Sequence, residues 1–135
     1  MKLTEWKSLI VDDNLFFRQQ MEDMLRHFGF QQIDHASNVS EAAGKVGVAV
    51  YDIVFLDLRM PGKGGHNFLQ ACREERRYDG MAFIVVSNES DERYISEAMK
   101  AGAIGYIVKP VLPLALQKNI GKVAEWKEQL LQLKS

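Results

Sequence analysis

The sequence predicts an α/β fold in which five parallel strands form a doubly wound sheet with helices on both faces. Short apolar segments alternate five times with longer segments whose apolar residues recur at helical spacing. Strands that alternate with helices pair in parallel, because each helix returns the chain to the same end of the sheet. Residues 53–56 are apolar at every position, which is typical of a strand buried on both faces.

The first half of the chain contains three predicted strands and two predicted helices. The strands lie at residues 9–11, 32–36 and 53–56. The first helix spans residues 15–27 and is ended by Gly29, the residue type that most often closes a helix. The second helix ends at Val48, and the candidates for its N-cap are Ser37, Asn38 and Ser40.

The second half continues the same alternation. We predict helices at about residues 66–76, 91–101 and 113–133, separated by strands at residues 82–86 and 105–108. Gly102 ends the fourth helix. Because crossovers between parallel strands are right-handed, few topologies remain for such a chain.

Composition and charge exclude several classes of protein. The chain has 135 residues, of which 47% are hydrophobic and 26% charged, as in an ordinary single globular domain. Its one cysteine, Cys72, cannot form an internal disulfide, which fits a reducing compartment. Thr4, Glu5 and Lys7 interrupt any apolar leader and no apolar run reaches about 18 residues, so we expect no membrane association and a cytoplasmic location. The net charge of -1 provides no general attraction to nucleic acid or anionic lipid.

Four of the five predicted strands end on residues that can bind a metal ion or a phosphate. Asp12 and Asp13 come after the first strand, Asp57 after the third, Ser87 after the fourth and Lys109 after the fifth. In an open α/β sheet, ligands bind beyond the carboxyl ends of the strands. We therefore expect these five residues to share one cleft, although they are far apart in the sequence.

These residue types suit metal-dependent phosphoryl transfer. Three neighbouring carboxylates repel one another, so a cation is needed if all of them are to ionise. An all-oxygen site suits Mg²⁺ (or Mn²⁺) better than a softer transition metal. A carboxylate beside such a metal can act as a nucleophile and form an aspartyl phosphate, while a lysine ammonium and a hydroxyl bind the phosphoryl oxygens.

Each residue also has a simpler explanation when it is taken alone. Asp12, Asp13 and Asp57 would be solvated turn residues, and Lys109 would be a surface lysine. The histidines are interpreted as surface or helix-end residues without a catalytic role, at positions His27, His35 and His66. The combination at successive strand ends favours the functional interpretation, because spacing and strand context support one another.

The same positions resemble a known family. Val11-Asp12-Asp13-Asn14, Asp57 followed by Met60-Pro61-Gly62, Ser87, Tyr106 and Lys109-Pro110 are similar to the motifs of response-regulator receiver domains. The similarity covers roughly residues 7–127. It implies a flavodoxin-like (βα)5 fold with strand order 2-1-3-4-5, and a single receiver domain over residues 1–135.

The resemblance implies a phosphoacceptor and a metal site. Asp57 is expected to accept a phosphoryl group from the phosphohistidine of a sensor histidine kinase or of a phosphotransfer protein. Asp13, Asp57 and the backbone carbonyl of Arg59 are expected to bind Mg²⁺ directly, and Asp12 mainly through a water. The domain would thus be a signalling switch and not an enzyme, catalysing only its own phosphorylation and dephosphorylation.

The resemblance also implies a switch that reads the phosphoryl group. Ser87 and Lys109 are expected to bind the phosphoryl oxygens, and the Lys109–Pro110 peptide bond is expected to be cis. Ser87 would move toward the phosphoryl group and Tyr106 would rotate inward behind it, although a tyrosine is favoured in a strand on structural grounds alone. This change would act on the face built from the fourth helix, the fifth strand and the fifth helix, for a downstream protein target, a missing output domain or a second copy of the chain.

Three positions around the site depart from the family pattern. Arg59 and Glu89 stand where the family tunes hydrolysis of the acyl phosphate, and they could meet as an ion pair across the site. Asn88 stands where the family usually has a smaller residue. We expect them to lengthen the phosphorylated lifetime, unless both side chains simply extend into solvent. In the loop after Asp57, Lys63 and Gly64 also differ from the family, and we expect this loop to be mobile or to contact a partner.

Two other functions compete with phosphorelay signalling. A phosphorylation-independent interaction module on the same fold usually lacks an acidic-pocket residue or the lysine, and this sequence has all of them. A flavin-binding electron carrier needs a Ser/Thr/Gly-rich phosphate loop after the first strand, where this chain has Asp12-Asp13-Asn14.

The last helix carries an apolar stripe whose end, residues 128–133, is expected to project beyond the sheet and to pair with a second copy or lead into a further segment.

Overall fold

The computed structural model describes residues 2–59 and 64–134, which form one five-stranded parallel sheet flanked by helices. The strands are β1 (Lys7–Val11), β2 (Gln32–Ala36), β3 (Ile53–Leu56), β4 (Ala82–Ser87) and β5 (Gly105–Val108). They pair in the order β2-β1-β3-β4-β5, and every pair is parallel. The predicted α/β fold class and strand order are therefore confirmed.

Within the described residues, five α-helices connect and follow the strands. They are α1 (Leu15–His27), α2 (Val39–Val48), α3 (Gly65–Glu74), α4 (Glu92–Ala101) and α5 (Pro113–Lys134). Three of them begin at a side chain that accepts a hydrogen bond from a backbone N–H of the first turn, namely Asn14, Asn38 and Asp91. Local sequence thus places most helix starts, which is why the predicted boundaries agree closely with the observed ones.

The core lies on both faces of the sheet. On one face, Leu9, Val54 and Phe83 pack with buried residues of α2, α3 and α4, including Cys72. On the other face, the alternate residues Ile10 and Phe55 pack with residues of α1 and α5. Because neighbouring strand residues point to opposite faces, two buried faces require apolar side chains at every position.

The end of α3 differs from the sequence prediction. The helix ends at Glu74, Glu75 is extended, and a 3-10 turn follows at Arg76–Tyr78. The guanidinium of the half-buried Arg73 donates hydrogen bonds to the carbonyls of Tyr78 and Met81, and the Tyr78 side chain packs into the core. These bonds to carbonyls five and eight residues later, together with the packing of Tyr78 into the core, accompany the turn of the chain where helical propensity alone would have continued the helix.

Two predictions meet the limits of the described chain. The loop at residues 60–63, expected to be mobile or to contact a partner, lies outside the described residues, and so do the family motif positions Met60, Pro61 and Gly62. Within residues 2–59 and 64–134, no helix combines the length and the hydropathy that crossing a membrane requires.

Candidate functional site

The carboxyl ends of four strands bring the predicted site residues to one edge of the sheet. Asp12 and Asp13 follow β1, Asp57 follows β3, Ser87 ends β4 and Lys109 follows β5. One carboxylate oxygen from each of Asp12, Asp13 and Asp57 lies within 4.8 Å of the others. The predicted convergence of the three carboxylates is therefore observed, and their spacing suits a single shared cation.

Lys109 reaches into this cluster from the end of β5. Its Nζ lies 2.7 Å from Oδ2 of Asp12 and 3.5 Å from Oδ2 of Asp57, and 4.1 Å from the ring centroid of Phe17. The lysine side chain is 15% exposed, so water screens these contacts poorly. Three carboxylates and one ammonium leave about two negative charges, which is the charge that a divalent cation would balance.

Asp57 occupies an environment that disfavours its charge. Burial raises the pKa of Asp57, and a hydrogen bond from the backbone N–H of Arg59 (2.9 Å) and the ammonium of Lys109 partly offset this effect. The neighbouring Asp12 carboxylate raises the pKa further. A bound cation would favour the ionised, nucleophilic form, so this donor set fits Mg²⁺.

Asp12 and Asp13 differ in exposure and in their hydrogen bonds. Asp12 is buried, and its two carboxylate oxygens accept hydrogen bonds from the Asn14 backbone N–H (2.8 Å) and from Lys109 (2.7 Å). Asp13 is exposed at the edge of the cleft. Asp13 therefore offers the more accessible carboxylate to a metal ion.

The backbone of Glu89 connects Ser87 to Tyr106. The Glu89 N–H donates to Oγ of Ser87 over 3.1 Å, and the Tyr106 hydroxyl donates to the Glu89 carbonyl over 2.8 Å. Ser87 is buried and Tyr106 is half-buried. A displacement of Ser87 would therefore reach Tyr106 through one residue of backbone. The Lys109–Pro110 peptide bond beside them is cis.

Arg59 and Glu89 form an ion pair beside the cleft. Nη1 of Arg59 lies 2.5 Å from Oε1 of Glu89, and the guanidinium lies 5.9 Å from the ring centroid of Tyr94. The side chains are 55% and 32% exposed, and Asn88 between the strand end and Glu89 is exposed. The pairing that the sequence suggested is present, whereas its effect on hydrolysis is still a prediction.

A second set of polar residues, which the sequence patterns did not predict, lies next to Asp12. Arg18 on α1 contacts the backbone carbonyl of Asp12 and the ring of His35 on β2, and His35 contacts Glu22 on α1. His35 is half-buried, so its interpretation as a surface residue is wrong. The sequence shows that Arg18 and Glu22 lie one helical turn apart, on the same face of α1. It does not show that His35 meets them, because that contact depends on the register of β2 against β1.

Comparison with known proteins identifies the family. The family model of the response regulator receiver domain matches residues 8–121. The chain belongs to the response regulator receiver family. Receiver domains of this kind are two-component signalling switches and not enzymes in the ordinary sense, and the aspartate cluster of this one is compatible with Mg²⁺ binding and phosphorylation.

Similar receiver domains come from several bacteria. The chemotaxis protein CheY of Pseudomonas aeruginosa is 33% identical over 119 residues, which covers 88% of this chain and 96% of that protein. The solved structure of Vibrio cholerae CheY4 is 30% identical with a TM-score of 0.79, covering 87% of this chain and 98% of that chain. A CheX-CheY-BeF3-Mg+2 complex from Borrelia burgdorferi contains a chain that is 29% identical with a TM-score of 0.80, covering 87% and 88%.

Proposed function

We propose that this receiver domain is the phosphoacceptor of a two-component phosphorelay and that Asp57 is the residue that becomes phosphorylated. The observation that supports this most directly is the cluster of Asp12, Asp13, Asp57 and Lys109 at the carboxyl edge of the sheet. The relative from Borrelia burgdorferi, whose structure contains BeF3 and Mg²⁺, adds support from a similar chain. We infer that residues 1–135 act as a single receiver domain, and a cytoplasmic location stays a prediction.

The side chains around Asp57 suggest how the transfer proceeds. A carboxylate oxygen of Asp57 forms a bond to phosphorus while the bond from phosphorus to the donor's phosphohistidine nitrogen breaks, and the histidine leaves. Asp12, Asp13, Asp57 and the backbone carbonyl of Arg59 would hold Mg²⁺ (or Mn²⁺). When bound, the metal neutralises charge on the phosphoryl group. Lys109 and the hydroxyl of Ser87 would bind the phosphoryl oxygens.

We propose a docking area for the phosphodonor beside the cleft. Four large apolar side chains near the starts of α1 and α5 are exposed, namely Leu15, Phe16, Leu112 and Leu114. The contact of Lys109 with Phe17 joins the start of α1 to the end of β5. We propose that a sensor histidine kinase or a phosphotransfer protein packs against these side chains while presenting its phosphohistidine to Asp57.

We propose that the output surface is formed by α4 and β5, on the side of Ser87 that faces away from Asp57. A shift of Ser87 toward the phosphoryl group would release or move Glu89, and with it the hydroxyl of Tyr106. Tyr94 and Met99 on α4 and Val108 on β5 are exposed there and would contact a downstream target, an output domain or a second copy. The phosphoryl group shifts the equilibrium between the two arrangements of Ser87 and Tyr106 only to the extent that it interacts more favourably with one of them.

Intact-mass spectrometry after incubation with acetyl phosphate and Mg²⁺ tests the proposal. We expect a single phosphoryl adduct that disappears in Asp57→Ala and when the metal is chelated. Asp79→Ala, which removes an exposed carboxylate remote from the cluster, is the matched control and should keep the adduct. If no adduct forms and beryllofluoride with Mg²⁺ also leaves the protein unchanged, the proposal is wrong and the phosphorylation-independent interaction module becomes the better explanation.

A further inference from the structure

Arg18 joins the end of β1 to the neighbouring strand β2. Its Nη1 donates a hydrogen bond of 2.6 Å to the backbone carbonyl of Asp12, and its Nε donates one of 3.2 Å to Nδ1 of His35. Nε2 of His35 lies 2.6 Å from Oε1 of Glu22, one helical turn beyond Arg18 on α1. One guanidinium therefore holds the carbonyl of a predicted metal ligand and is itself held by a second residue.

The chemistry of these groups determines where the protons lie. A guanidinium has only donors, so Nδ1 of His35 must be the unprotonated, accepting nitrogen. The imidazole proton is then on Nε2 and is donated to Glu22, which also accepts from Nε of Arg26 at 2.8 Å. The hydrogen bond with His35 is the main reason why the pKa of Glu22 lies below its usual value. A neutral His35 in one tautomer fixes the direction of the Arg18 side chain.

The carbonyl that Arg18 binds occupies a particular place in the backbone. The Val11 carbonyl still accepts a hydrogen bond from the Asp57 N–H, and the Asp12 N–H still donates to the Ala36 carbonyl. The Asp12 carbonyl comes after these sheet contacts, and Arg18 is its partner. It belongs to the planar peptide that joins Asp12 to Asp13, so its direction also sets the direction in which Asp13 leaves the strand.

We propose that Arg18, held in place by His35 and Glu22, is a positioning residue for the metal site. It fixes the Asp12–Asp13 peptide and thereby sets the affinity of the carboxylate cluster for Mg²⁺. The proposal deepens the proposed function and rests on it, because it assumes that the cluster binds Mg²⁺. Partners that orient metal ligands in this way typically change metal affinity by about 10–100-fold when they are mutated.

The sign of the effect separates positioning from simple electrostatics. The Arg18 guanidinium is a cation, so its charge alone would repel Mg²⁺, and removing it would tighten binding. Loss of positioning does the opposite. We expect Arg18→Met, which removes the charge and the hydrogen bonds, to weaken Mg²⁺ binding about 10-fold. Arg18→Lys, which keeps the charge but lacks the two-pronged guanidinium, should weaken it similarly.

Substitutions at His35 test the second half of the arrangement. His35→Phe keeps a ring but removes both nitrogens, and we expect weaker Mg²⁺ binding. His35→Gln retains an acceptor for Arg18 and a donor for Glu22, so it should restore most of the affinity. Arg26→Gln is the matched control, because it breaks an ion pair to the same Glu22 without touching Arg18, and it should leave the affinity unchanged.

The experiment is a Mg²⁺ titration of each variant followed by the backbone amide signals of Asp13 and Asp57 in NMR spectra. Thermal unfolding in EDTA checks that each variant folds. In the metal-free wild type we also expect imidazole nitrogen shifts of a neutral Nε2–H tautomer at His35, and an Asp13 amide signal that moves in the Arg18 variants but not in Arg26→Gln.

The possible outcomes distinguish the two levels of the argument. Wild type that binds no Mg²⁺ would overturn the proposed function, and the affinity effect with it. Normal binding by wild type and equal or tighter binding by a folded Arg18→Met would overturn the positioning role alone. An Asp13 amide signal that is unmoved in Arg18→Met would also overturn it, because the peptide would then be held without Arg18.

Discussion

At the scale of single residues, the carboxylate of Asp57 is held under conditions that oppose its own ionisation. It is 8% exposed, and the carboxylates of Asp12 and Asp13 lie beside it. Water would stabilise the anion of an exposed aspartate, so a bound cation would add little further stabilisation. The structure therefore keeps a destabilising group at the point where a metal ion would be most strongly attracted.

Replacing Asp57 with asparagine should stabilise the metal-free protein. The pKa of Asp57 is higher in the folded protein than in the unfolded chain. The stability that protonated Asp57 contributes is therefore complete at pH values below its unfolded-state pKa, and it is lost as the pH rises through its folded-state pKa. At pH 7 in EDTA we expect Asp57→Asn to increase the free energy of unfolding by about 0.5–2 kcal/mol, and at pH below about 4 the difference should shrink. Urea unfolding at both pH values measures it, and Asp79→Asn is the control. An Asp57→Asn variant no more stable than wild type at pH 7 would contradict the expectation.

The ion pair between Arg59 and Glu89 should slow hydrolysis of the phosphorylated protein. The two side chains meet beside the cleft, where an attacking water would have to enter. An exposed pair is worth up to about 1 kcal/mol, so removing it in Arg59→Ala with Glu89→Ala should raise the hydrolysis rate by up to about fivefold. The loss of phosphoryl adduct with time measures this rate.

A second ion pair of similar exposure provides the control for that prediction. Nε of Arg77, on the 3-10 turn after α3, lies 2.8 Å from Oε2 of Glu75, just before that turn. The double alanine variant of this pair should hydrolyse at the wild-type rate. An equal or slower rate in the Arg59 and Glu89 double variant would mean that the pair does not obstruct water.

At the scale of elements, β5 and α5 meet where a glycine of the strand, Gly105, faces a buried asparagine of the helix, Asn119. Asn119 on α5 is buried, its Nδ2 donates to the Ala115 carbonyl, and its Oδ1 lacks a partner among the described residues. A Cβ added at Gly105 on β5 would overlap this side-chain oxygen. Glycine at position 105 thus allows the Asn119 side chain of α5 to approach the sheet closely.

Gly105→Ala should destabilise the protein through this overlap. We expect a loss of about 1–3 kcal/mol in the free energy of unfolding, the usual cost of overpacking a core. Adding Asn119→Ala should recover part of the loss, so the two substitutions should be non-additive in a double-mutant cycle followed by urea unfolding. Gly44→Ala in the exposed part of α2 meets no atom and should instead stabilise by about 0.5–1 kcal/mol. Additive effects of Gly105→Ala and Asn119→Ala would show that the two residues are not coupled.

At the scale of the whole molecule, α5 extends from the cleft edge of the sheet to the opposite edge and beyond. Its buried residues Leu116 and Val123 cover the sheet. Near the far edge, Nζ of Lys127 bonds to Oδ1 of Asp52 over 3.2 Å and to the Gly80 carbonyl over 2.6 Å. After this anchor the helix continues to Lys134, and Leu133 is 82% exposed. Leu130 is half-buried, and the projection of residues 128–133 beyond the sheet stays a prediction.

Removing the projecting end should change self-association without unfolding the domain. Residues 128–134 follow the Lys127 anchor on α5, so we expect deletion of residues 128–135 to preserve the fold. If this end pairs with a second copy, the full chain should sediment as a dimer, at least when phosphorylated, and the shortened chain as a monomer. Sedimentation velocity with and without beryllofluoride and Mg²⁺ measures both. A monomer under all four conditions would rule out pairing through this end.

The sequence by itself determined the fold class, most element boundaries and the identity of the carboxylates, the serine and the lysine at the strand ends. It did so because hydrophobic periodicity and helix caps such as Asn14 and Asp91 act over a few residues, and because parallel strands must end at a common edge. The family resemblance added the strand order and the expected roles. These features can be predicted without knowledge of any contact between distant side chains.

Tertiary structure decided which side chains meet and what their meeting does. The register of β2 against β1 brings His35 to Arg18 and Glu22, and the turn after α3 packs the Tyr78 side chain into the core against distant strands. Burial raises the pKa of Asp57, a property that its neighbours in sequence do not reveal. These features escape sequence analysis because desolvation and hydrogen bonding depend on distances in space, which residues far apart in the chain set together.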